Sequence, residues 1–366
     1  MYQEGKAQFE IGVAFFRSAT QVVRDLGVLA AAIYRQTQGK LRVLDGMAGC
    51  GVRSLRYALE SDANWVWTNE GNPELEPLLR QNLQGNSQTV PGQLTFENVQ
   101  RLLHRCAANR DYFDLVDLDC FGDSMPYLSL GLGATRIGGL LYLTSTDGRS
   151  LTGHLPLNSL RSYGVVARSH PAAQEQALRI LLGALQQQAA SMGLGMEPVL
   201  SLFTGQTYRV MVRLVHKTQL QTHNYGFLGY CHRCGEYQTV DWLKLGRVNC
   251  EKCDRPATIT GPMWLGPLHD RFYLAAMQTL AQAWQWSKRV DLLTTLQAEA
   301  TLPPYFYRLG EIGKRGKLHG LPSREALISA LIAQGFSATT PHVDSQAVKT
   351  TACLGDCVAI ARRLQP

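Results

Sequence analysis

The sequence contains no uninterrupted apolar stretch approaching the roughly 20 residues that a membrane-spanning helix requires. Its opening residues, MYQEGKAQFE, carry neither the basic flank nor the apolar core of a secretory signal. A soluble, cytoplasmic chain with no membrane role is therefore expected. A disulfide framework is also missing. Of the nine cysteines, four form two close CxxC pairs and the rest are scattered, which is the spacing of a metal site in a reducing compartment. No internal repeat or low-complexity tract stands out, and nothing in the sequence points to an obligate protein partner.

What is present suits two domains: 366 residues, 45% of them hydrophobic, can supply two buried cores. The net charge of +7 divides unevenly. Residues 1–216 hold 19 basic against 18 acidic side chains, and residues 217–366 hold 17 against 11. A basic second half fits a phosphate-rich partner or an ordinary solvated surface; composition alone does not separate them.

Apolar residues at helical intervals over 12–35 (Val13, Phe16, Val22, Val23, Leu26, Leu29, Ile33) predict a leading helix. Strand signals follow at 41–45, 64–70, 113–119 and 139–146, alternating with helical patterns at 51–60, 73–83, 124–136 and 171–193. Two late strands at 198–204 and 207–215 pair naturally. This alternation predicts a Rossmann-like α/β domain with a doubly wound, mainly parallel sheet, ending near residue 216. A smaller α+β domain follows at 217–366, with residues 1–39 as an N-terminal extension contributing to the site.

The turn between the first strand and its helix reads DGMAGCG, with Asp45, Gly46, Gly49 and Gly51. Glycines there let a ligand approach the backbone closely, so this is a nucleotide-cofactor loop. It is not GxGxxG, and an acid at the strand end suits the ammonium of a methionine moiety better than a pyrophosphate. Glu70 ends the next strand, where a carboxylate can accept ribose hydroxyls. The segment VDLDCFGD then places Asp119 and Phe121 at the carboxyl end of a buried strand, the edge where ligands collect. An exocyclic base nitrogen is a poor nucleophile because its lone pair is delocalised into the ring. A carboxylate accepting its N–H can aim that lone pair, and an aromatic ring gives an extruded base a stacking face. Asp119 and Asp123 could alternatively cap the following helix.

Cys231, Cys234, Cys250 and Cys253 give C-x2-C-x15-C-x2-C, the spacing of tetrahedral zinc. Four protein ligands leave no open position, so the metal is structural. His232 reads as a solvent-facing knuckle residue. Arg233, Lys244, Arg247, Lys252 and Arg255 around the site suit RNA phosphates or a solvated surface equally, whereas the glycine-rich run RLGEIGKRGKLHG (308–320), which concentrates Arg308, Lys314, Arg315 and Lys317, is expected to contact RNA phosphates.

Over nearly its full length the chain resembles the tRNA (guanine-N2) dimethyltransferase family. The resemblance rests on Glu4-Gly5, Phe15-Phe16 and Arg24-Asp25-Leu26, on LDGMAGCGVRSLRYALE and Asn69-Glu70, on TSTDGRSLTG (144–153), and on TPHVDSQAVKT (340–350). It implies an S-adenosylmethionine-dependent enzyme that methylates guanine 26 of tRNA at N2 once or twice; whether a neighbouring guanine is also accepted stays open. It also implies that Arg24, Arg53 and Glu70 contact the cofactor, that Asp119 is the catalytic carboxylate, and that Phe15 and Phe121 line the guanine pocket. The family's adenine-edge acid falls at Asn98, next to Val99. One departure is Cys120 in place of the proline of Asp-Pro-Phe-Gly, which predicts a less preorganised loop; the thiol itself reads as a space-filler. Two alternatives stand beside this reading: an exocyclic-amine methyltransferase for another RNA or DNA, and a catalytically weak RNA-binding protein.

Overall fold

The computed structural model describes residues 1–86, 91–246 and 248–365; Arg247 lies outside them. The chain opens with a hairpin, β1 (Tyr2–Glu4) and β2 (Ala7–Phe9), and enters α1 (Gln21–Gln38) only after a loop and a short 3-10 turn. The helix expected over 12–35 therefore begins at Gln21. The apolar residues before it pack as a loop instead: Phe16 meets Phe9 edge-on at 5.4 Å and Ala14 is buried, while Val13 and Phe15 turn outward.

The α/β layer continues with β3 (Arg42–Asp45), α2 (Val52–Leu59), β4 (Trp65–Asn69), α3 (Glu76–Gln84), β5 (Gly92–Thr95), α4 (Val99–Ala108), β6 (Phe113–Leu118), α5 (Met125–Ala134) and β7 (Thr135–Ser145). After α6 (Gly148–Leu151), α7 (Pro156–Tyr163) and α8 (Ala173–Ser191) come β8 (Gly195–Phe203) and β9 (Tyr208–Val215). The seven strands lie in the order β5-β4-β3-β6-β7-β9-β8. The first five are parallel, and β9 runs antiparallel between β7 and β8. Strands β3 and β6 are buried along almost their whole length because helices cover both faces of the sheet. The edge strand β5 went unforeseen because its residues, Gly-Gln-Leu-Thr, are polar and partly exposed.

Beyond residue 216, β10 (Tyr225–Tyr230), β11 (Tyr237–Val240) and β12 (Thr258–Trp264) form an antiparallel sheet. Helices α9 (Arg271–Ala283) and α10 (Ser287–Glu299) follow, then β13 (Tyr307–Arg308), α11 (Leu309–Gly316), α12 (Arg324–Ala333), β14 (Ala338–Thr339), β15 (Ala347–Thr350) and α13 (Leu354–Arg363). Apolar packing runs across residue 216: one cluster joins Leu118 and Leu181 to Met263, Tyr237 and Ile312, and another joins Leu26 and Leu29 to Leu274 and Leu293. Buried Lys349 reaches Glu175 of α8 at 2.5 Å.

The run at 308–320 is not the open glycine loop its composition suggested, since residues 309–316 form α11. Two of its four cations are engaged within the fold. Arg308 pairs with Asp344 at 2.7 Å, and Arg315 donates to the backbone carbonyls of His232 and Arg233 beside the cysteine pairs.

Candidate active site

The strand order reverses between β3 and β6, and the carboxyl ends of such neighbours flank the crevice where open α/β sheets bind ligands. A cavity of about 1100 Å³ opens there. That is at the top of the roughly 300–1,000 Å³ range of small-molecule sites, so it has room for more than one ligand group.

One wall is the turn after β3. Gly49 has φ +56°, a conformation that glycine adopts without strain, and its N–H donates to Glu70 Oε2 at 2.8 Å. Glu70 Oε1 accepts from Asn72 N–H at 3.0 Å. A carboxylate has about four lone-pair sites, so this one keeps acceptor capacity for a diol at the cavity edge. These residues fit the ribose of a nucleoside cofactor.

Asp119 forms the floor. Arg53 reaches it at 2.7 Å, Arg209 at 2.9 Å and the Thr144 hydroxyl at 2.8 Å. The same two arginines hold buried Asp117 at 3.2 and 3.0 Å, Tyr57 donates to it at 2.6 Å, and Arg209 lies over the Tyr142 ring. Burial would raise the Asp119 carboxyl, but the charges of Arg53 and Arg209 and the Thr144 hydrogen bond hold it well below the usual carboxylate range. Its side chain remains 39% exposed, so one edge stays open to the cavity. Asp119 is therefore a fixed anionic acceptor. It does not cap α5, whose N-cap position is Ser124; Asp123 accepts from Met125 N–H, at the first residue of that helix, at 2.9 Å.

The Asp-Cys-Phe-Gly loop is held despite the missing proline. Gly122 N–H donates to the Thr146 hydroxyl at 2.6 Å, and the Gly122 carbonyl accepts from Thr146 N–H and the Ser145 hydroxyl, each at 3.0 Å. The Thr-Ser-Thr segment at the end of β7 supplies by hydrogen bonding the order that a proline would supply covalently. Cys120 is buried, and burial pushes its thiol far above the usual range, which removes it as a thiolate.

Aromatic rings stand at the rim. Phe121 is 89% and Phe15 73% exposed, and both line the cavity with Phe16, Phe203 and Tyr208. Arg17 lies over the Phe15 ring at 5.1 Å and donates to Gln206 Oε1 at 2.6 Å, joining the N-terminal loop to the β8–β9 turn.

Of the residues singled out in the sequence, Phe15, Arg24, Gly49, Arg53, Glu70, Asp119 and Phe121 line this cavity. Arg24 is buried and spends its guanidinium on Glu4, at 2.7 and 2.5 Å. Asp45, Gly46, Gly51, Asn98 and Val99 lie behind the wall. Asp45 accepts from the Ser54 hydroxyl at 2.7 Å, and burial with the charge of Asp117 pushes its carboxyl up to about 7. Gly46 packs against Leu118 and Val99, Gly51 precedes α2 at φ +83°, and Asn98 caps α4 through Gln100 and Arg101 N–H. Sequence reasoning missed Arg209, Asp117, Thr144 and Arg17. The only signal for Arg209 was a charged residue inside an otherwise buried late strand.

The four cysteines meet in the C-terminal half. Cys231 and Cys253 sulfurs are 3.5 Å apart and those of Cys234 and Cys250 3.4 Å, with all four within 4.8 Å of one another. Zn–S bonds of about 2.3 Å in a tetrahedron require sulfurs about 3.8 Å apart, so the set fits a structural zinc. His232 is not among the four. A second cluster, His269, Glu299 and His342, is a hydrogen-bonded clasp. His269 Nδ1 accepts from Ser201 N–H and His342 Nε2 from Phe203 N–H, each at 3.3 Å, and the other nitrogen of each ring faces Glu299. All four ring nitrogens are occupied, and the clasp pins the end of β8 where it enters the cavity wall.

No helix among the described residues is long and apolar enough to cross a membrane. The family model described as N2,N2-dimethylguanosine tRNA methyltransferase matches residues 6–362. The chain is 30% identical to a tRNA (guanine(26)-N(2))-dimethyltransferase of Pyrobaculum arsenaticum, over 95% of this chain and 91% of the relative. It is 28% identical to the enzyme of the same name from Pyrococcus horikoshii, over 96% and 94%. The solved structure of Trm1 from Pyrococcus horikoshii in complex with S-adenosyl-L-methionine superposes with a TM-score of 0.85, at 26% identity and 98% coverage of both chains. With the match spanning the glycine turn, the Asp119 floor and the cysteine cluster alike, this chain belongs to the N2,N2-dimethylguanosine tRNA methyltransferase family.

Proposed function

We propose that this chain transfers one or two methyl groups from S-adenosylmethionine to the exocyclic N2 of guanine 26 in tRNA, in the cytoplasm. The observation that carries this reading is the open edge of Asp119, an anion fixed by Arg53 and Arg209 and flanked by the exposed ring of Phe121. When bound, the cofactor supplies an electrophilic sulfonium methyl.

The residues of the chain do the rest. Glu70 and the Gly49 turn take the ribose, and Arg24 and Arg53 close the methionine side. Asp45, Asn98 and Val99 act from behind that wall, shaping the turn and the start of α4. Phe15 and Phe121 hold the extruded base, and Asp119 accepts one N2–H, turning the nitrogen lone pair toward the methyl carbon. As the N–C bond forms and the C–S bond breaks, S-adenosylhomocysteine leaves, and N2, having gained charge, loses one hydrogen as a proton to water. Asp119 is too weak a base to hold that proton at neutral pH, so its part is orientation and charge stabilisation. After one round a second N–H remains, and apolar rings accept the first methyl without leaving a polar group unpaired. Residues 217–366, with the zinc, grip the body of the tRNA.

The test is mass spectrometry of nucleosides from unmodified tRNA treated with enzyme and S-adenosylmethionine. N2-methylguanosine should appear first and N2,N2-dimethylguanosine after it, both mapping to position 26. Asp119→Ala should lower turnover by at least about 100-fold while cofactor affinity stays near normal. Turnover close to wild type in that variant, or a methyl on a ring nitrogen, overturns the roles assigned here.

A further inference from the structure

A second cavity, of about 570 Å³, lies between the turn at Gly153 and the zinc-bearing sheet, lined by Gly153, Val166, Arg168, Ser169, His232, Thr258 and Ile259. We propose that it is a binding site for a backbone phosphodiester of the tRNA strand that delivers guanine to the catalytic cavity.

The lining offers a guanidinium, an imidazole and two hydroxyls, and none of the seven residues is a carboxylate. Among the described residues, Arg168 makes no side-chain ion pair or hydrogen bond, and its only polar tie is backbone N–H to the Thr260 hydroxyl at 3.2 Å. A guanidinium beside hydroxyl donors, with no anion of its own, matches a phosphate diester.

The turn 152–154 divides the two cavities: Thr152 and His154 line the catalytic one, together with Arg149, while Gly153 between them lines the second. A nucleotide flipped onto Phe121 thus has its neighbouring backbone carried across this turn. Gly153 has φ +82°, and a Cβ there would lie 2.4 Å from the Arg168 carbonyl carbon. Glycine lets segment 166–169 press against the turn, and paired backbone hydrogen bonds between Val166 and Gly261 fasten that segment to β12. The cavity is therefore built jointly by the catalytic half and the zinc half, and it couples grip on the strand to placement of the base.

This inference rests on the tRNA-methyltransferase reading, and the experiment keeps the two apart. Binding of unmodified tRNA is measured across salt concentrations for wild type and for Arg168→Ala and Arg168→Lys, alongside S-adenosylmethionine affinity and nucleoside products. Arg168→Ala should weaken tRNA binding and reduce the slope of log Kd against log salt by about 1, with cofactor affinity unchanged. Arg168→Lys should restore the slope. Ethylation of individual tRNA phosphates should interfere with wild-type binding at a phosphate next to guanine 26, and that interference should vanish in Arg168→Ala. An unchanged slope and footprint overturns the site even if dimethylguanosine is made. Saturable micromolar binding of inorganic phosphate alone overturns it by showing a free-anion site. Failure of wild type to methylate any tRNA sinks the functional reading instead.

Discussion

On the floor of the catalytic cavity Asp119 and Asp117 share Arg53 and Arg209 in a network tied to Tyr57 and Thr144, so every charge has its partner within the folded chain. At the rim Phe15 and Phe121 stand exposed, and the Arg17–Gln206 contact ties the loop that carries Phe15 to the β8–β9 turn. The difference separates two duties. The group that aims a lone pair must be fixed to a fraction of an ångström, and buried ion pairs give geometry even where they give little net stability. The groups that receive a base must be reachable, and their apolar area is covered by the substrate.

The comparison breaks hardest at Arg209. Arg209→Leu leaves Asp117 buried against a single arginine and should cost about 3–5 kcal/mol of unfolding free energy, measured by denaturant titration. Adding Asp117→Asn should recover part of that loss; no recovery would mean that Arg209 stabilises by packing on Tyr142. The rim should behave oppositely. Phe121→Ala should change stability by no more than about 0.5 kcal/mol, yet losing a stacking face worth about 1–3 kcal/mol should lower kcat/KM for tRNA by roughly 10- to 100-fold. Phe121→Trp should retain activity. A large stability loss in Phe121→Ala would mean that the rim, too, is part of the fold.

Acid sharpens the contrast more gently. His170 joins α8 to β11: Ala172 N–H donates to its Nδ1 at 3.2 Å, Tyr237 OH lies 3.2 Å from the same atom, and Nε2 faces Gln176 at 2.7 Å. Burial lowers its pKa from 6.5 to about 4. A histidine kept neutral in the fold but free to charge when unfolded contributes stability that is complete above about 6.5 and is lost as pH falls toward 4. Asp119, held below the usual range, stays ionised through that window. Relative to His170→Gln, the wild type should lose about 1–2 kcal/mol between pH 6.5 and 4.5. Parallel pH profiles of the two proteins would remove His170 from this account.

The features legible in the sequence were those that local chemistry imposes. The glycine turn, the acid ending the second strand, the Asp-Cys-Phe-Gly segment and the paired cysteines were each readable, because a turn, a strand end or a metal knuckle constrains residues a few positions apart. Periodicity likewise located the buried strands of the sheet. It failed at residues 12–17, where apolar groups pack in a loop, and at β5, whose edge position needs no apolar face.

The sequence by itself therefore determined the sheet, the cofactor turn and the four sulfur ligands. Only tertiary structure decided that Arg209, 90 residues from Asp119 along the chain, completes the floor. It alone decided that the glycine-rich basic run is a helix spending Arg308 and Arg315 on the fold, and that Arg168, Ser169, His232 and Thr258 share one cavity. The physical reason is one of range. Backbone preference and metal spacing act between neighbours, whereas the pairing of a buried charge depends on which distant residue the packed core brings to meet it.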